Sequence, residues 1–225
     1  MANYVNITLD TTQPSNPALL INSNDIYTTN QLVNLAIGTG DGITTGYQMK
    51  IWGSVDTAYD TNIKTTEGTS TWITYAASKQ IKLSTGDGNK TVYMKLRDDV
   101  WNESAQISDS ITLNTVVPVV TIGGQNVTKI SKVTGKNELT FSFTSDVAFT
   151  EYKVKVVTIA SASHDTGTLI ATTNGSSNMV GSGTFASGTP VSCVVKGSDL
   201  EVASASDGDK IIKVFVKNEA GLWSV

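Results

Sequence analysis

Apolar and polar residues alternate with a period of two along most of the chain, which is typical of half-buried β-strands. In segment 90–97, for example, Val92, Met94 and Leu96 point to one side and the residues between them to the other. The pattern predicts strands at 18–22, 32–37, 46–53, 70–75, 80–84, 90–97, 107–113, 119–122, 139–145, 151–158, 168–173, 191–196 and 210–217. No window of helical length carries an apolar stripe, so the fold class is all-β.

The chain repeats itself after about 100 residues. Three pairs of segments match: ITLDTTQP at 7–14 with ITLNTVVP at 111–118, YQMKI at 47–51 with YKVKV at 152–156, and KTVYMKLRDDVWNES at 90–104 with KIIKVFVKNEAGLWS at 210–224. About seven short strands per repeat predict two tandem antiparallel β-sandwiches of the immunoglobulin-like kind. A six- or seven-stranded barrel in each repeat is the alternative.

The repeat also predicts the domain boundaries. Residues 1–14 form an N-terminal strand and linker, 15–117 the first domain, and 118–225 the second. The second domain is longer by about 15 residues, and the Gly/Ser/Thr-rich segment 161–188 is the predicted insertion.

Segment 86–122, GDGNKTVYMKLRDDVWNESAQISDSITLNTVVPVVTI, resembles bacterial immunoglobulin-like domains. Such domains repeat in surface adhesins of Gram-positive bacteria and decorate tailed-phage virions. The resemblance covers about 40 residues and returns in weaker form at 207–225. Trp101 stands where the family has a turn glycine, and Leu222 stands where it has asparagine. The resemblance implies immunoglobulin-like sandwiches and a role in attachment, but no particular ligand.

Charge and hydropathy disfavour several classes of partner. The net charge is −4 and only 16% of residues are charged, whereas phosphate binding needs clustered Lys and Arg. The N-terminus has neither the basic nor the apolar region of a secretory signal, and no segment approaches the ~20 apolar residues of a membrane span. We therefore expect no nucleic acid partner, no membrane insertion and no signal peptide.

The residues that usually perform catalysis are scattered. His164 is the single histidine and lies in a polar loop, so neither a triad nor a multi-histidine metal site can be built on it. The carboxylate pairs Asp98/Asp99, Asp56/Asp60 and Asp207/Asp209 lie at turns and are interpreted as solvated turn acids. Cys193, the single cysteine, lies in an apolar run and is predicted to be a small core residue. We expect no enzymatic activity, no metal and no cofactor.

The four tryptophans divide into two pairs. Trp52 and Trp72 fall in predicted strands and are expected in the core or on a sheet face. Trp101 and Trp223 lie in the same turn region of the two domains. They either contact a neighbouring domain or subunit or close the end of the sandwich, and stacking on carbohydrate is a further alternative.

The repeat predicts that the second sandwich is unfinished. In the first domain, strand 90–97 is followed by a turn and a closing strand at 107–113. In the second domain the equivalent turn at 218–224 is followed only by Val225. A sandwich without its edge strand leaves backbone donors and acceptors unpaired.

Segment 3–10 copies that closing strand, with Val5, Ile7 and Leu9 on one face. We predict that it is a donor strand that completes the second domain of another subunit. The acceptor strand there presents Ile212, Val214 and Val216. The alternative is that 3–10 form the first strand of the first domain.

Together these features favour a structural protein of a phage virion, such as a capsid decoration, head-fibre or tail-associated subunit made in the host cytoplasm. The expected partners are other virion proteins and further copies of the chain, with weak contact to a host surface or glycan. A fragment of a bacterial surface adhesin is the alternative, and a carbohydrate-binding module is a third.

Overall fold

The computed structural model describes residues 4–225, and the chain divides into two compact units, Met1–Thr115 and Val116–Val225. Almost all regular structure is β-strand. In each unit two sheets contribute alternate side chains to an apolar core between them, as expected for a sandwich, and the second unit has a further small cluster of Val157, Ala162 and Phe215.

The first unit is built from a three-stranded and a five-stranded sheet. Its strands are β1 (Ala18–Ile21), β2 (Tyr27–Thr28), β3 (Leu32–Gly38), β4 (Gln48–Gly53), β5 (Ile73–Thr74), β6 (Ser78–Lys82), β7 (Gly88–Arg97) and β8 (Ile107–Leu113). The sheet orders are β1-β3-β6 and β2-β8-β7-β4-β5, and β2 runs parallel to β8 while the other pairs are antiparallel. This arrangement is an immunoglobulin-like sandwich.

The second unit repeats the design with differences at its edges. Its elements are β9 (Val120–Gly123), β10 (Glu138–Ser145), β11 (Phe149–Val157), β12 (Thr168–Leu169), β13 (Val180–Phe185), β14 (Val191–Lys196), α1 (Gly197–Ala203) and β15 (Ile211–Lys217). One sheet is β9-β10-β14. In the other, β11 pairs with β15 along one edge and with β12 and β13 along the opposite edge.

The cores follow the predicted alternation. Val92, Met94 and Leu96 of β7 are fully buried against residues of the facing sheet such as Leu35. In the second unit four rings, Phe143, Phe149, Tyr152 and Phe185, contact one another at centroid distances of 4.7–6.4 Å. Burial of such side chains is the main favourable term in folding.

Three elements differ from the sequence prediction. β2 lies in a stretch predicted as a loop, and segment 161–188 contains β13 in addition to β12, which falls within the strand predicted at 168–173. Helix α1 follows β14, outside that segment, so the extra length of the second unit is divided between two places.

The match between 47–51 and 152–156 is shifted by two residues in the structure. Met94 pairs with Ile51, and its counterpart Val214 pairs with Val154, so Ile51 corresponds to Val154. The shift leaves the inward face unchanged because a strand has a period of two.

Candidate functional site

In the first unit the closing strand β8 fills the position between β7 and β2. The Thr112 N–H donates to the Ile26 carbonyl and the Asn114 N–H to the Thr28 carbonyl, each at 2.9 Å. On the same strand, Ile111 and Leu113 are 1% exposed. β8 thus completes both the backbone pairing and the core.

The turn after β15 is built like the turn after β7. The Leu96 N–H donates to Ser104 Oγ at 3.0 Å, and the Ser104 N–H donates to the Leu96 carbonyl at 2.8 Å. Val216 and Ser224 repeat both bonds, at 3.1 and 2.8 Å. β15 is therefore the counterpart of β7 residue by residue.

The outer edge of β15 is open within residues 4–225. β15 pairs with β11 alone, apart from one bridge between Lys217 and Trp223 in the turn. Val154 of β11 lies opposite Val214, and its N–H and carbonyl are bonded on the other side, to Met179 and Ile170. The backbone of Val214, and of Ile212 two residues earlier, therefore points to the open edge.

A groove of about 820 Å³ runs along this edge of the second unit. Residues 207–212 form one wall and 125–130 form the other. Segment 125–130 follows β9 as the segment that leads into β2 follows β1 in the first unit. Between the walls lie the apolar side chains of Ile122, Leu139, Phe141 and Leu200, and the walls add those of Ile130 and Ile212. The groove has the place and lining that β8 has in the first unit.

The predicted donor residues are exposed. Residues 4–11, here termed the arm, form no strand, and the exposed fractions of Val5, Ile7 and Leu9 are 91%, 93% and 87%. The alternative that 3–10 form the first strand of the first domain is wrong for residues 4–10, since that strand, β1, begins at Ala18. Asn3 lies outside the described residues.

The predicted acceptor residues lie on β15 with their side chains turned inward. Val214 and Val216 are buried at 3% and 0% exposure, and Ile212 packs against the same core and also lines the groove. Their side chains thus complete the core, and it is the backbone of β15 that is available for pairing.

Aspartates fasten the linkers to the units, which the sequence reading missed. Asp41 accepts from the Ser15 N–H at 3.0 Å and from Ser15 Oγ at 2.6 Å, and Asp146 accepts from the Val119 N–H at 2.7 Å. The Ser15 hydroxyl, together with its amide and other donors, holds the pKa of Asp41 below its usual range despite some burial.

The linker that leaves the first unit is held in the same manner. Asp87 accepts from the Thr115 N–H and from Thr115 Oγ1, both at 2.9 Å. The signal available in the sequence was the repeat of the turn, because GDG at 86–88 and DGD at 207–209 place an aspartate before β7 and before β15.

The predicted turn acids have several roles. Asp56 and Asp60 form ion pairs with Lys82 and Lys79 at 2.9 and 2.7 Å. Asp98 is not solvated as predicted but 2% exposed, and it accepts from the Val100 and Asn102 amides to close its turn. Among residues 4–225, no cluster of three or more His, Cys, Asp or Glu could hold a metal ion.

Burial shifts the pKa values of several groups in the second unit, among them Cys193 and Asp199. Cys193 is 1% exposed, as predicted, and burial raises the pKa of its thiol to about 12. Asp199 in α1 is fully buried, and burial raises its pKa, but hydrogen bonds from Ser176 and Asn174 outweigh this effect and lower it to about 2. Asp199 thereby fixes α1, and with it Leu200 of the groove, to the loop that follows β12.

Trp101 and Trp223 lie in corresponding turns but not at corresponding positions. Trp101 is 68% exposed and matches Gly221, since both have a left-handed backbone, with φ of 71° and 88°. Trp223 matches Glu103 in its bridge to the preceding strand. It packs against the cluster of Val157, Ala162 and Phe215 and stacks on His164, with ring centroids 4.7 Å apart.

The other tryptophans lie on one sheet of the first unit. Trp52 is 6% exposed and stacks on Tyr93. Trp72 is half-buried just before β5, and the Arg97 guanidinium lies between its ring at 4.5 Å and that of Trp101 at 4.6 Å.

No helix within residues 4–225 has the length and apolar character needed to cross a bilayer.

No protein-family model matches the chain, and no curated protein matches it either. Among solved structures it is similar to the fibronectin(III)-like modules of Clostridium thermocellum CbhA, with 12% identity, 92% of this chain and 90% of that chain covered, and a TM-score of 0.43. It is also similar to the D00-D0 domain of intimin, with 13% identity, 92% and 97% covered, and a TM-score of 0.37. Carbohydrate-binding modules of the beta-sandwich super family match at 11% identity over 96% and 99%, with a TM-score of 0.35. The sheets of the chain itself define two tandem immunoglobulin-like antiparallel β-sandwiches.

Proposed function

We propose that the chain is a structural subunit of a tailed-phage virion, in which immunoglobulin-like domains mediate attachment and assembly. A capsid decoration, a head fibre and a tail-associated protein are the three locations that suit it. The proposal rests on the hydrogen bonds by which Asp41, Asp87 and Asp146 hold the linkers to the units. Such contacts suit a protein that connects other components end to end.

Within the first unit the two fastening points lie at opposite ends. The loop that carries Asp41 leads into the start of β4, where Gln48 pairs with Arg97 at the end of β7. Asp87 instead precedes the start of β7. A pull between the incoming and outgoing linkers would therefore run along the strands and load their hydrogen bonds in parallel.

The resemblance of 86–122 to bacterial immunoglobulin-like domains supports the assignment to a particle or cell surface. The exposed arm and the open groove support assembly, because a virion protein must bind its neighbours in a fixed geometry. The function needs no cofactor and no catalysis. A surface adhesin of a bacterium is the alternative, since the same domains occur there.

Immunogold labelling tests the location. Antibodies raised against the purified chain would be applied to phage particles, and separately to host cell envelopes, from a culture that expresses it. We expect gold at a fixed position on the particles and a constant copy number per particle by quantitative mass spectrometry. Label confined to the cell envelope would support the adhesin, and label on neither would overturn both.

Glycan contact is a second candidate function, and the exposed ring of Trp101 favours it. With Trp72 and the guanidinium of Arg97 it forms an aromatic and cationic surface on the first unit. Stacking of a sugar on such a ring is weak for one copy and adds up over many. A glycan array probed with the chain and with Trp101→Ala tests it, and equal binding by both proteins would exclude this surface.

A further inference from the structure

We propose that the arm of one copy fills the groove of the second unit of another copy, as an antiparallel strand paired with β15. The inference deepens the proposed function and rests on it for its biological setting, because it names the partner through which the subunits would assemble. Its physical basis lies within the individual units.

The arm carries the residues that the groove lacks. Ile7 and Leu9 stand in the repeat where β8 has Ile111 and Leu113, which are buried in the first unit, yet in the arm both are about nine-tenths exposed. The groove offers an apolar lining in the place where β8 lies in the first unit. Burial of both side chains there removes apolar surface from water on each partner.

The pairing of β7 with β8 fixes the register. Lys90 lies opposite Ile111, Gly88 opposite Leu113 and Val92 opposite Asp109. The same pairing in the second unit places Ile7 opposite Lys210, Leu9 opposite Gly208, and Val5 opposite Ile212. In this register the N–H and carbonyl groups of Val5 and Ile7 face the open edge of β15.

A polar contact closes the end of the strand. Asp87 holds Thr115 by two hydrogen bonds in the first unit. The corresponding pair in the proposed complex is Asp207 and Thr11, and Asp207 already lines the end of the groove. The same sequence turn would thus fasten the arm of the next copy.

The anchor of the arm favours a second copy as the donor. Ser15 is fastened to Asp41 of its own first unit, and the four Cα-to-Cα steps from Thr11 to Ser15 span at most about 14 Å. Thr115 and Val119 are joined by a link of the same length and the same anchors. Head-to-tail addition would therefore form, between two copies, a link of the same length and with the same aspartate contacts as the link between Thr115 and Val119 within one chain. A contact of this kind builds filaments or rings.

Disulfide trapping between two tagged proteins tests the register and the donor together. Asn6 lies opposite Ile211 in the proposed pairing. The two residues form a non-hydrogen-bonded pair, with Cα atoms about 4.5 Å apart, which is within the range that a disulfide spans. Asn6→Cys and Ile211→Cys are made in separate proteins with different tags, then mixed and oxidised. The native Cys193 is buried and remains in both proteins. We expect a disulfide-linked dimer that carries both tags.

An off-register pair is the matched control. Thr8→Cys mixed with Ile211→Cys lies on the diagonal, about 7–8 Å apart, and we expect at least tenfold less cross-link. Equal yields from both mixtures, or no mixed dimer at all, would overturn the proposed pairing. A cross-link formed only when both cysteines are in one chain would show closure within the chain and overturn the second copy as donor.

Charge substitutions in the arm provide a second test that leaves both cores intact. Ile7→Glu places a carboxylate on the inward face of the strand, whereas Thr8→Glu places it on the outward face. By sedimentation equilibrium, Ile7→Glu is expected to weaken self-association at least about tenfold and Thr8→Glu to leave it within about twofold. Equal association of the two variants would contradict the proposal. Both tests use purified protein, so a failure to label virions would not affect them.

Discussion

Trp101 occupies a backbone conformation that suits glycine, and this has a measurable cost. A side chain with a Cβ in the left-handed region loses about 1–2 kcal/mol, and the corresponding residue in the second unit is Gly221. Trp101→Gly and Trp101→Ala both remove the ring and its contact with Arg97, and only the glycine variant relieves the backbone. We expect the first unit of Trp101→Gly to melt about 4 °C above that of Trp101→Ala by calorimetry.

The converse substitution serves as the control. Gly221→Ala introduces a Cβ at the corresponding position and should lower the free energy of unfolding of the second unit by about 1 kcal/mol. If the two Trp101 variants melted together while Gly221→Ala lost stability, the left-handed backbone at Trp101 would be relaxed in solution. A strained position that retains a large exposed ring is typical of a contact surface.

Asp199 makes the second unit sensitive to acid. Its pKa is about 2 in the folded state against 3.8 for an unperturbed aspartate, so its stabilising effect is complete above about pH 4 and is lost as the pH falls from 4 to 2. The shift corresponds to about 2 kcal/mol. Urea unfolding of Asp199→Asn should show about this loss at pH 7 and a flatter dependence of stability on pH below 4.

Asp165→Asn is the matched control because Asp165 lies in the same unit with a side chain that is 79% exposed, so that its contact with His164 Nδ1 at 3.1 Å contributes little to stability. We expect its unfolding curve to follow that of the unchanged chain at every pH. An Asp199→Asn variant as acid-sensitive as the unchanged chain would show that another carboxylate governs this transition.

At the scale of the element, β15 should exchange its amide hydrogens unevenly when the groove is empty. The amides of Ile212 and Val214 face the open edge, whereas those of Lys213 and Phe215 face β11. In a chain that lacks residues 2–10, which has no arm to donate, the first two should exchange at least tenfold faster than the second two. In the assembled chain all four should be slow. Uniform protection of β15 in both proteins, measured by NMR, would show that its outer edge is already covered.

A strand could be predicted from the sequence where its apolar and polar residues alternate. β7 was found because every second residue from Lys90 to Leu96 is buried. β13, with the sequence VGSGTF, has four exposed and two half-buried positions, and β2 is only two residues long. Neither strand therefore shows the two-residue alternation of apolar and polar residues. α1 was missed because it has only seven residues, too few to show an apolar stripe, and the carboxylate of Asp199 holds it to the unit together with Leu200 and Ala203.

The candidate site was predictable only in part for a related physical reason. The arm and β15 belong to the long repeat, so the sequence itself shows that the arm resembles β8 and that β15 resembles β7. The repeated turns GDG and DGD also mark Asp87, whereas the fastening of linkers by Asp41 and Asp146 depends on contacts between residues 26 and 27 positions apart. A single aspartate in a polar turn gives no sign of such a contact.

At the scale of the whole molecule, one-way strand exchange predicts that chains without the arm terminate growth. A chain that lacks residues 2–10 keeps both units, since β1 begins at Ala18, and its groove can accept an arm although it has none to donate. Added to the unchanged chain, it should occupy one end of each polymer and stop addition there. The mean length, measured by electron microscopy or light scattering, should therefore fall steadily as its mole fraction rises.

A chain with Ile212→Arg, which fills and charges the groove, should stop growth at the other end, because it can donate an arm and cannot accept one. The two terminators mixed in equal amounts should form dimers through the one arm and the one groove that remain intact. Assemblies that never exceed a dimer in the unchanged chain would instead indicate reciprocal exchange between two copies.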